Sequence, residues 1–463
     1  MRRRRLVRSW YAGAALIGGL AGCTRISAGA PPANVLIVTL DTTRADRLSA
    51  YGFQSASMPA IDRLARVGIL FQNATTVAPL TLPAHCSLLT GLYPRHHGVR
   101  DNADPPLEPA HRTLAEILHG RGFRTAAFVA ASVLASNRGL SRGFDVYRDT
   151  TTNSDAGAPA RVRRPGNEVV DEALTWLDGH EDSPFFVWVH LYDAHAPYRT
   201  PEPYRTQYAA DPYEGSLAFV DSQVDRVIRW LESHHQLSRT LVIVAGDHGE
   251  SLGDHGELEH GILLYESVLH VPLVMRVPGV AARRFLAITS LIDVTPTVLG
   301  LLRLPGPQVD GLDLSPSIRG AREPADRLVY SESLYPERFG WSALRAARDG
   351  RFKFIDAPRP ELYDLETDPF EERNLYTTRS VAATALARRL EGFDGVERRA
   401  ASDRMDHVPV DVRARLKALG YIGTDARTAG STRRDPKDFI ATYNAVRLAA
   451  RSASVGPSNW QRE

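Results

Sequence analysis

Four short stretches of the 463-residue chain gather side chains able to do chemistry: "DTTRADRLSAYG" from Asp41, "TLPAHCSLLTG" from Thr81, "YDAHAPY" from Tyr192 and "GDHGESLGDHGELEHG" from Gly246. Asp41, Asp193, His195, Asp247, His248 and His260 are carboxylates and imidazoles, which a divalent ion takes as ligands when they are distant in sequence and adjacent in the fold. Taken singly, an Asp at a strand end is ordinarily a helix cap and a His a satisfied core or surface residue. Four such sites in one chain, with "DHG" directly after "LVIVAG", tip the balance to a metal site. Beside them the second stretch holds three candidate nucleophiles, Thr81, Cys86 and Ser87. A divalent cation stabilises an alkoxide much as it does hydroxide and offsets charge on a transferred group, so the chemistry implied is a metal-activated nucleophile.

These residues need elements to hold them. "NVLIVTL" (34–40) is a continuous β-branched run of the kind buried in a parallel sheet, and Asp41 follows at its carboxyl end, where open α/β sheets place ligands. Runs of the same kind are "TAAFVA" (125–130), "FFVWVHL" (185–191), "TLVIVAG" (240–246) and "VPLVMRV" (271–277), separated by amphipathic stretches such as "TLAEILHGRG" and "EGSLAFVDSQVDRVIRWLESH". The alternation predicts an α/β fold with a mostly parallel central sheet between helices. "SLIDVTPTVLGLL" (290–302) reads as a further helix with Asp293 and Thr295 as possible caps. From about residue 326 the pattern turns to short strand-like pieces, "RAARDGRFKFI" and "ELYDLETDPFEERNL", which predict a smaller C-terminal subdomain. The expected layout is a catalytic domain over 34–325, the subdomain over 326–400, and a C-terminal helix with a partly flexible tail over 401–463.

The composition, 43% hydrophobic and 24% charged, is that of a globular protein with a sizeable core. The start differs: "MRRRRLVRSWYAGAALIGGLAGC" has five arginines, a short apolar run, and small residues ending at Cys23. That layout predicts a signal peptide over 1–22, too short to span a membrane. Leu20 to Cys23 resembles the bacterial lipobox, which implies acylation of Cys23, a tether over 23–33, and an extracytoplasmic lipoprotein anchored in a bacterial envelope. Removing 1–22 takes the formal charge from +2 to −3, so no basic surface is left to suggest nucleic acid. With Cys23 acylated, Cys86 is the remaining thiol and no intrachain disulfide can form.

"NVLIVTLDTTRADRLSAYG", "MPAIDRLARVGILFQNATT", "LLTGLYPRHHGVRDN", "GDHGESLGDHG", "LLYESVLHVPLVMRVPG" and "ELYDLETDPFEERNL" together resemble the sulfatase family of the alkaline phosphatase superfamily, in the family's order from about Asn34 to Leu375. The resemblance implies the alkaline phosphatase/sulfatase-like fold, a divalent metal and an anionic ester substrate. It breaks at the nucleophile. Sulfatases carry Cys or Ser in C/S-x-P-x-R and oxidise it to formylglycine, whereas this chain reads T-L-P-A-H, with Thr81 at that position and His85 in place of the arginine. The "GKWHLG" Lys and His of sulfatases also have no counterpart near "FVAASVLASNRGL".

T-x-P-x-H followed by "TGLYP" is similar instead to the nucleotide pyrophosphatase/phosphodiesterase branch, in which a metal-activated threonine attacks phosphorus. By that similarity Thr81 is the nucleophile, Asp41, Thr81, Asp247 and His248 form a metal site, and Asn102 and His85 contact substrate. Thr42 stands where many sulfatases have a second carboxylate, and His248 supplies a nitrogen. Zinc or manganese is therefore favoured over calcium or magnesium. Asp193, His195 and His260 have the composition of a second metal site at a tighter spacing; with one ion only, His195 or His260 is the candidate general acid. His190 reads as a hydrogen-bonded core histidine, His96 and His97 as shaping a loop, Arg44 and Asp46 as a structural pair, and Cys86 as packing. The arginines of 150–165 belong to a loop that shapes the leaving-group pocket and meet either an anionic substrate or water alone. The leading expectation is hydrolysis of phosphate-type esters, diesters or phosphonates through Thr81. The alternatives are a sulfuric ester hydrolase, an envelope phospho-group transferase, and an inactive anion-binding lipoprotein, the last disfavoured because a binding protein has no need of an activated hydroxyl.

Overall fold

Asn34–Leu40 forms β1, buried at every residue, as a run with no polar face must be. In the computed structural model, which describes residues 30–54, 58–149, 163–393 and 434–454, this strand sits inside an eight-stranded sheet. The other strands in chain order are β2 (Ile69–Phe71), the short β3 (Ala74–Thr75), β4 (Arg124–Val129), β5 (Val146–Arg148), β6 (Phe185–Leu191), β7 (Thr240–Gly246), β8 (Leu273–Arg276) and β9 (Arg283–Phe285). The sheet order is β5-β4-β6-β1-β7-β8-β2-β9, while β3 pairs separately with β10 (Thr289–Ser290). Every neighbouring pair in the large sheet is parallel except those of β8, which runs against β7 and β2. The mostly parallel α/β expectation therefore describes the sheet, with one reversed strand that periodicity could not mark.

Register places the site. Leu40 lies opposite Leu191 on one side and Gly246 on the other, so the segments opening with Asp41, Tyr192 and Asp247 leave the sheet side by side. Asp41 N–H donates to Leu191 O at 2.9 Å, and Asp247 N–H to Leu40 O at 3.2 Å. A slip of one residue would turn these side chains to the opposite face.

Helices cover both faces. Pro212–Ser233 starts on a proline, and the Asp211 carboxylate caps it by accepting from Glu214 N–H at 3.1 Å. Pro59–Val67 borrows its cap from that helix: Asp221 accepts from Ala60 N–H at 3.0 Å and Ile61 N–H at 2.9 Å. The 290–302 stretch divides into a 3-10 turn, Leu291–Asp293, and a helix, Val294–Leu302. Asp293 accepts from Ser290 N–H at 2.8 Å, but Thr295 caps nothing and donates to Leu88 O at 2.7 Å instead.

The C-terminal part builds an antiparallel meander of β11 (Val329–Ser333), β12 (Leu344–Arg348), β13 (Phe352–Asp356) and β14 (Glu361–Asp364). The helix Ser380–Glu391 covers it through Leu386 and Leu390, which pack with Tyr330, Phe354 and Leu362. Lys353, fully buried on β13, ties the meander to the short helix Glu266–Leu269 of the large domain by pairing with Glu266 at 3.1 Å, and also pairs with Glu371 at 2.5 Å. A last helix, Ile440–Ser454, returns to the large domain. Cys23, the leader, most of the 23–33 tether and residues 150–162 lie outside the described residues. Among the described residues no helix is long and apolar enough to cross a membrane.

Candidate active site

Thr81 is the first residue of the helix Thr81–Thr90, all ten residues of which are buried. Its Oγ1 lies 3.1 Å from Asp41 Oδ2 and 3.3 Å from His248 Nε2. One hydroxyl proton cannot serve both acceptors at once. His248 Nδ1–H donates to Gly249 O at 2.9 Å, so its Nε2 lone pair faces Thr81. Asn102 Oδ1 accepts from Leu82 N–H at 2.8 Å, while its buried Nδ2 has no partner and is free to donate to an anion.

His85 sits one helical turn after Thr81. Its Nδ1–H donates to Thr81 O at 2.7 Å, and its Nε2 accepts from the Thr39 hydroxyl at 2.9 Å, which in turn accepts from Trp188 Nε1–H at 2.9 Å. With both nitrogens taken and no exposed surface, His85 is not the substrate contact expected from its place in the motif. The i,i+4 spacing turns it back onto the Thr81 backbone, which it holds.

Asp41, Asp247 and His248 bring ligand atoms within 4.8 Å of one another, all buried. Asp41 Oδ1, Asp247 Oδ2 and Thr42 Oγ1 have no hydrogen-bond partner. The second oxygen of Asp247 accepts from Thr42 N–H at 3.2 Å and His248 N–H at 2.7 Å. Burial pushes both carboxyls well above the usual carboxylate range, and the charge of Asp41 adds to the effect on Asp247. Burial also lowers His248 to about 4, which keeps its lone pair free. Two buried carboxylates with orphaned oxygens beside a neutral imidazole are costly alone and fit a divalent cation.

His190 departs from its reading as a satisfied core histidine. Neither ring nitrogen makes a hydrogen bond, and Nε2 lies 3.4 Å from Asp41 Oδ2. The parallel register sets His190 opposite Thr39, two residues before Asp41, so its ring flanks the carboxylate cluster. The available signal was a polar residue near the carboxyl end of an otherwise apolar strand.

His195 and His260 stand next to this cluster, with ring centroids 5.1 Å apart and His260 4.4 Å from His248. His195 stacks on Tyr192 at 4.4 Å and its Nδ1–H donates to Ala196 O at 2.8 Å. His260 Nδ1–H donates to Glu250 Oε1 at 3.0 Å; Glu250, fully buried and also bonded by Tyr198 OH at 3.2 Å, is a site residue the sequence reading passed over. Its signal was its place two residues after His248. Asp193 does not join the two histidines: its carboxylate accepts from Gly166 N–H at 3.1 Å, and no group of three ligands among the described residues contains it. Among the described residues the possible second metal set does not converge, and one oxygen of Asp193 is engaged by the start of the Gly166–Leu177 helix. Of the side chains set aside, Arg44 pairs with Asp46 at 2.7 Å, His97 bonds Ser87 at 2.9 Å, and burial pushes the Cys86 thiol up to about 12.

A mostly parallel sheet that carries a buried acid–histidine cluster and a hydroxyl at its strand ends defines an alkaline-phosphatase-like hydrolase of ester bonds. The chain belongs to the sulfatase family: the family model described as Sulfatase matches residues 33–304, and the model of the N-sulphoglucosamine sulphohydrolase C-terminal region matches 253–393. It is 24% identical over 467 residues to the Delta 4,5-hexuronate-2-O-sulfatase of Bacteroides thetaiotaomicron, covering 87% of this chain and 97% of that one. Among solved structures it resembles the phosphonate monoester hydrolase of Agrobacterium radiobacter, with TM-score 0.66, 24% identity, and coverage of 78% and 95%. It also resembles a protein solved in complex with D-glucosamine-2-N,6-O-disulfate, with TM-score 0.67, 20% identity, and coverage of 78% and 97%.

Proposed function

We propose that this protein is a metal-dependent hydrolase of singly charged sulfuric esters that uses Thr81 as its nucleophile. The observation that carries the reading is the buried Thr81 hydroxyl held between the Asp41 carboxylate and the His248 lone pair, at 3.1 and 3.3 Å. The T-x-P-x-H motif alone ranks phosphate-type esters first; curated relatives named as sulfatases move the sulfuric ester ahead. Charge supports a monoanion. The polar partners of Asp41, Thr81, Asp247 and His248 include no lysine or arginine among the described residues, so one divalent ion against two carboxylates leaves no surplus for a dianionic phosphate monoester.

Asp41, Thr81, Asp247 and His248 would hold the ion, zinc or manganese by the nitrogen of His248. When bound, it lowers the pKa of the Thr81 hydroxyl and offsets the charge of the transferred group. Asp41 Oδ2 accepts the Thr81 proton. The Asn102 amide donates to an oxygen of the bound ester, and the amino end of the Thr81–Thr90 helix favours the same negative charge. His85 fixes the backbone carbonyl of Thr81, which keeps Oγ1 in line with the ester. His260, oriented by the Glu250 carboxylate, gives one proton to the departing oxygen, and His195 packs beside it. Water then cleaves the threonine ester. A phosphonate monoester or phosphodiester is the second reading, favoured by a nucleophile that cannot become formylglycine and by the same single charge.

The test uses protein lacking residues 1–23, loaded with zinc or manganese, on nitrophenyl sulfate, nitrophenyl phosphate, bis-nitrophenyl phosphate and a phenylphosphonate ester. The sulfate is expected to turn over fastest, and Thr81→Ala to lose at least about a thousandfold in kcat. Fastest turnover of the phosphonate or diester would establish the second reading. Full activity in Thr81→Ala would sink both.

A further inference from the structure

The helix Ile440–Ser454 lies beyond both family matches, yet it docks on the turn that carries His260. Asn444 grips that turn at two points: its Nδ2 donates to Gly256 O at 2.7 Å, and its Oδ1 accepts from Leu258 N–H at 3.3 Å. One helical turn on, Arg447 forms a buried ion pair with Glu259, the residue immediately before His260, with its guanidinium over the Tyr443 ring at 5.9 Å. Tyr443 packs on Tyr335 and Phe339. From the inner side Glu257 accepts from Ile262 N–H at 2.9 Å and Leu263 N–H at 3.1 Å.

The turn has little regular structure of its own. Gly253, His255 and Gly256 all have left-handed backbones, with φ of 96°, 53° and 84°. A segment of that kind opens at low cost unless other elements clamp it. Here the clamp comes from far along the chain, and its charge falls one residue from His260. The charge of Arg447 also acts on the neighbouring His195.

We propose that the C-terminal helix is a working part of the active site, and that Arg447 is a positioning residue which, through Glu259, holds His260 against His195 and His248. The inference rests on the role given to His260 above. Removing one partner of a buried ion pair leaves the other uncompensated, so either single change should release the turn.

The experiment uses the full chain with Arg447→Ala, Arg447→Lys, Glu259→Gln, and the Arg447→Ala/Glu259→Gln double variant. Hydrogen exchange over residues 254–262 is expected to accelerate at least about tenfold in Arg447→Ala, while β1 and β7 stay protected. On nitrophenyl sulfate, kcat is expected to fall about a hundredfold with KM within about threefold. The double variant should be no slower than the worse single one, and Arg447→Lys should recover most of the rate. Unchanged exchange would overturn the proposal, as would additive losses, or a kcat within about twofold of the parent once exchange has accelerated. Where the parent protein turns over no ester, the function proposed above fails on its own count, and exchange confined to 254–262 decides the clamp separately.

Discussion

A threonine hydroxyl ionises far above neutral pH in water, so the reactivity proposed for Thr81 depends on neighbours that carry their own titrations. His97 shows the cost of such burial away from the site. Its Nδ1 accepts from Val99 N–H at 3.2 Å, so Nε2–H donates to Ser87 Oγ at 2.9 Å, and burial lowers the ring to about 3. The folded protein keeps this ring neutral, whereas the unfolded chain takes up a proton near the ordinary histidine pKa of about 6.5. Its stabilisation is thus complete above that value and is lost as pH falls toward about 3. His190, also lowered to about 3, acts in the same direction. The urea midpoint is expected to drop between pH 7 and 5, and His97→Gln, weaker at pH 7, should show a shallower drop; equal slopes would refute this account. At this scale the sequence exposed Asp41, Thr81, Asp247 and His248 because each follows an apolar run or opens a helix. It concealed His190 and Glu250, since nothing in a single chain tells a buried polar side chain with a partner from one without. Nor did it reveal that His85 turns inward, because that follows from helical phase rather than from motif position.

Elements set the distances between these residues, and close backbone contact sets the elements. A Cβ at Gly249 would lie 2.0 Å from Ser267 O, a backbone atom that no rotamer can move aside. The same residue's carbonyl orients His248. Gly249→Ala is therefore expected to cost about 2–3 kcal/mol in urea unfolding and to weaken zinc binding measured by calorimetry. Parent-like zinc affinity in that variant would show that the turn does not set the histidine. The strands were legible from their β-branched runs, as was the alternation with helices. The reversal of β8 was not, because a buried strand reads the same in both directions. Thr295 misled for a related reason: a threonine near a helix start caps only where its backbone is still non-helical, and here the helix has already begun.

The whole molecule joins the large domain to the small sheet through buried charge: Lys353 with Glu266 and Glu371, and Arg348 with Glu266 at 2.8 Å. The shift from long apolar runs to short ones near residue 326 foretold the second sheet, but side chains 87 residues apart do not announce that they will meet. Location also belongs to this scale. We propose that the enzyme is held outside the cytoplasm by a lipid on Cys23, a reading supported by the arginine-rich, short apolar leader. Expressed in a bacterium, the full chain is expected to take up labelled palmitate and to sediment with membranes, and Cys23→Ala to do neither. Label retained by Cys23→Ala would remove the anchor.

Thr81 meets Asp41 across 40 residues and His248 across 167, and Asp247 meets Thr42 across 205. Closing such long loops is the slow part of folding, and no short contiguous fragment contains the whole proposed ligand set. An ion held by the residues proposed above would therefore recognise only a chain whose central strands have already zipped together. It would stabilise the finished molecule by mass action without hastening its assembly, so metal uptake would mark the end of maturation rather than its start.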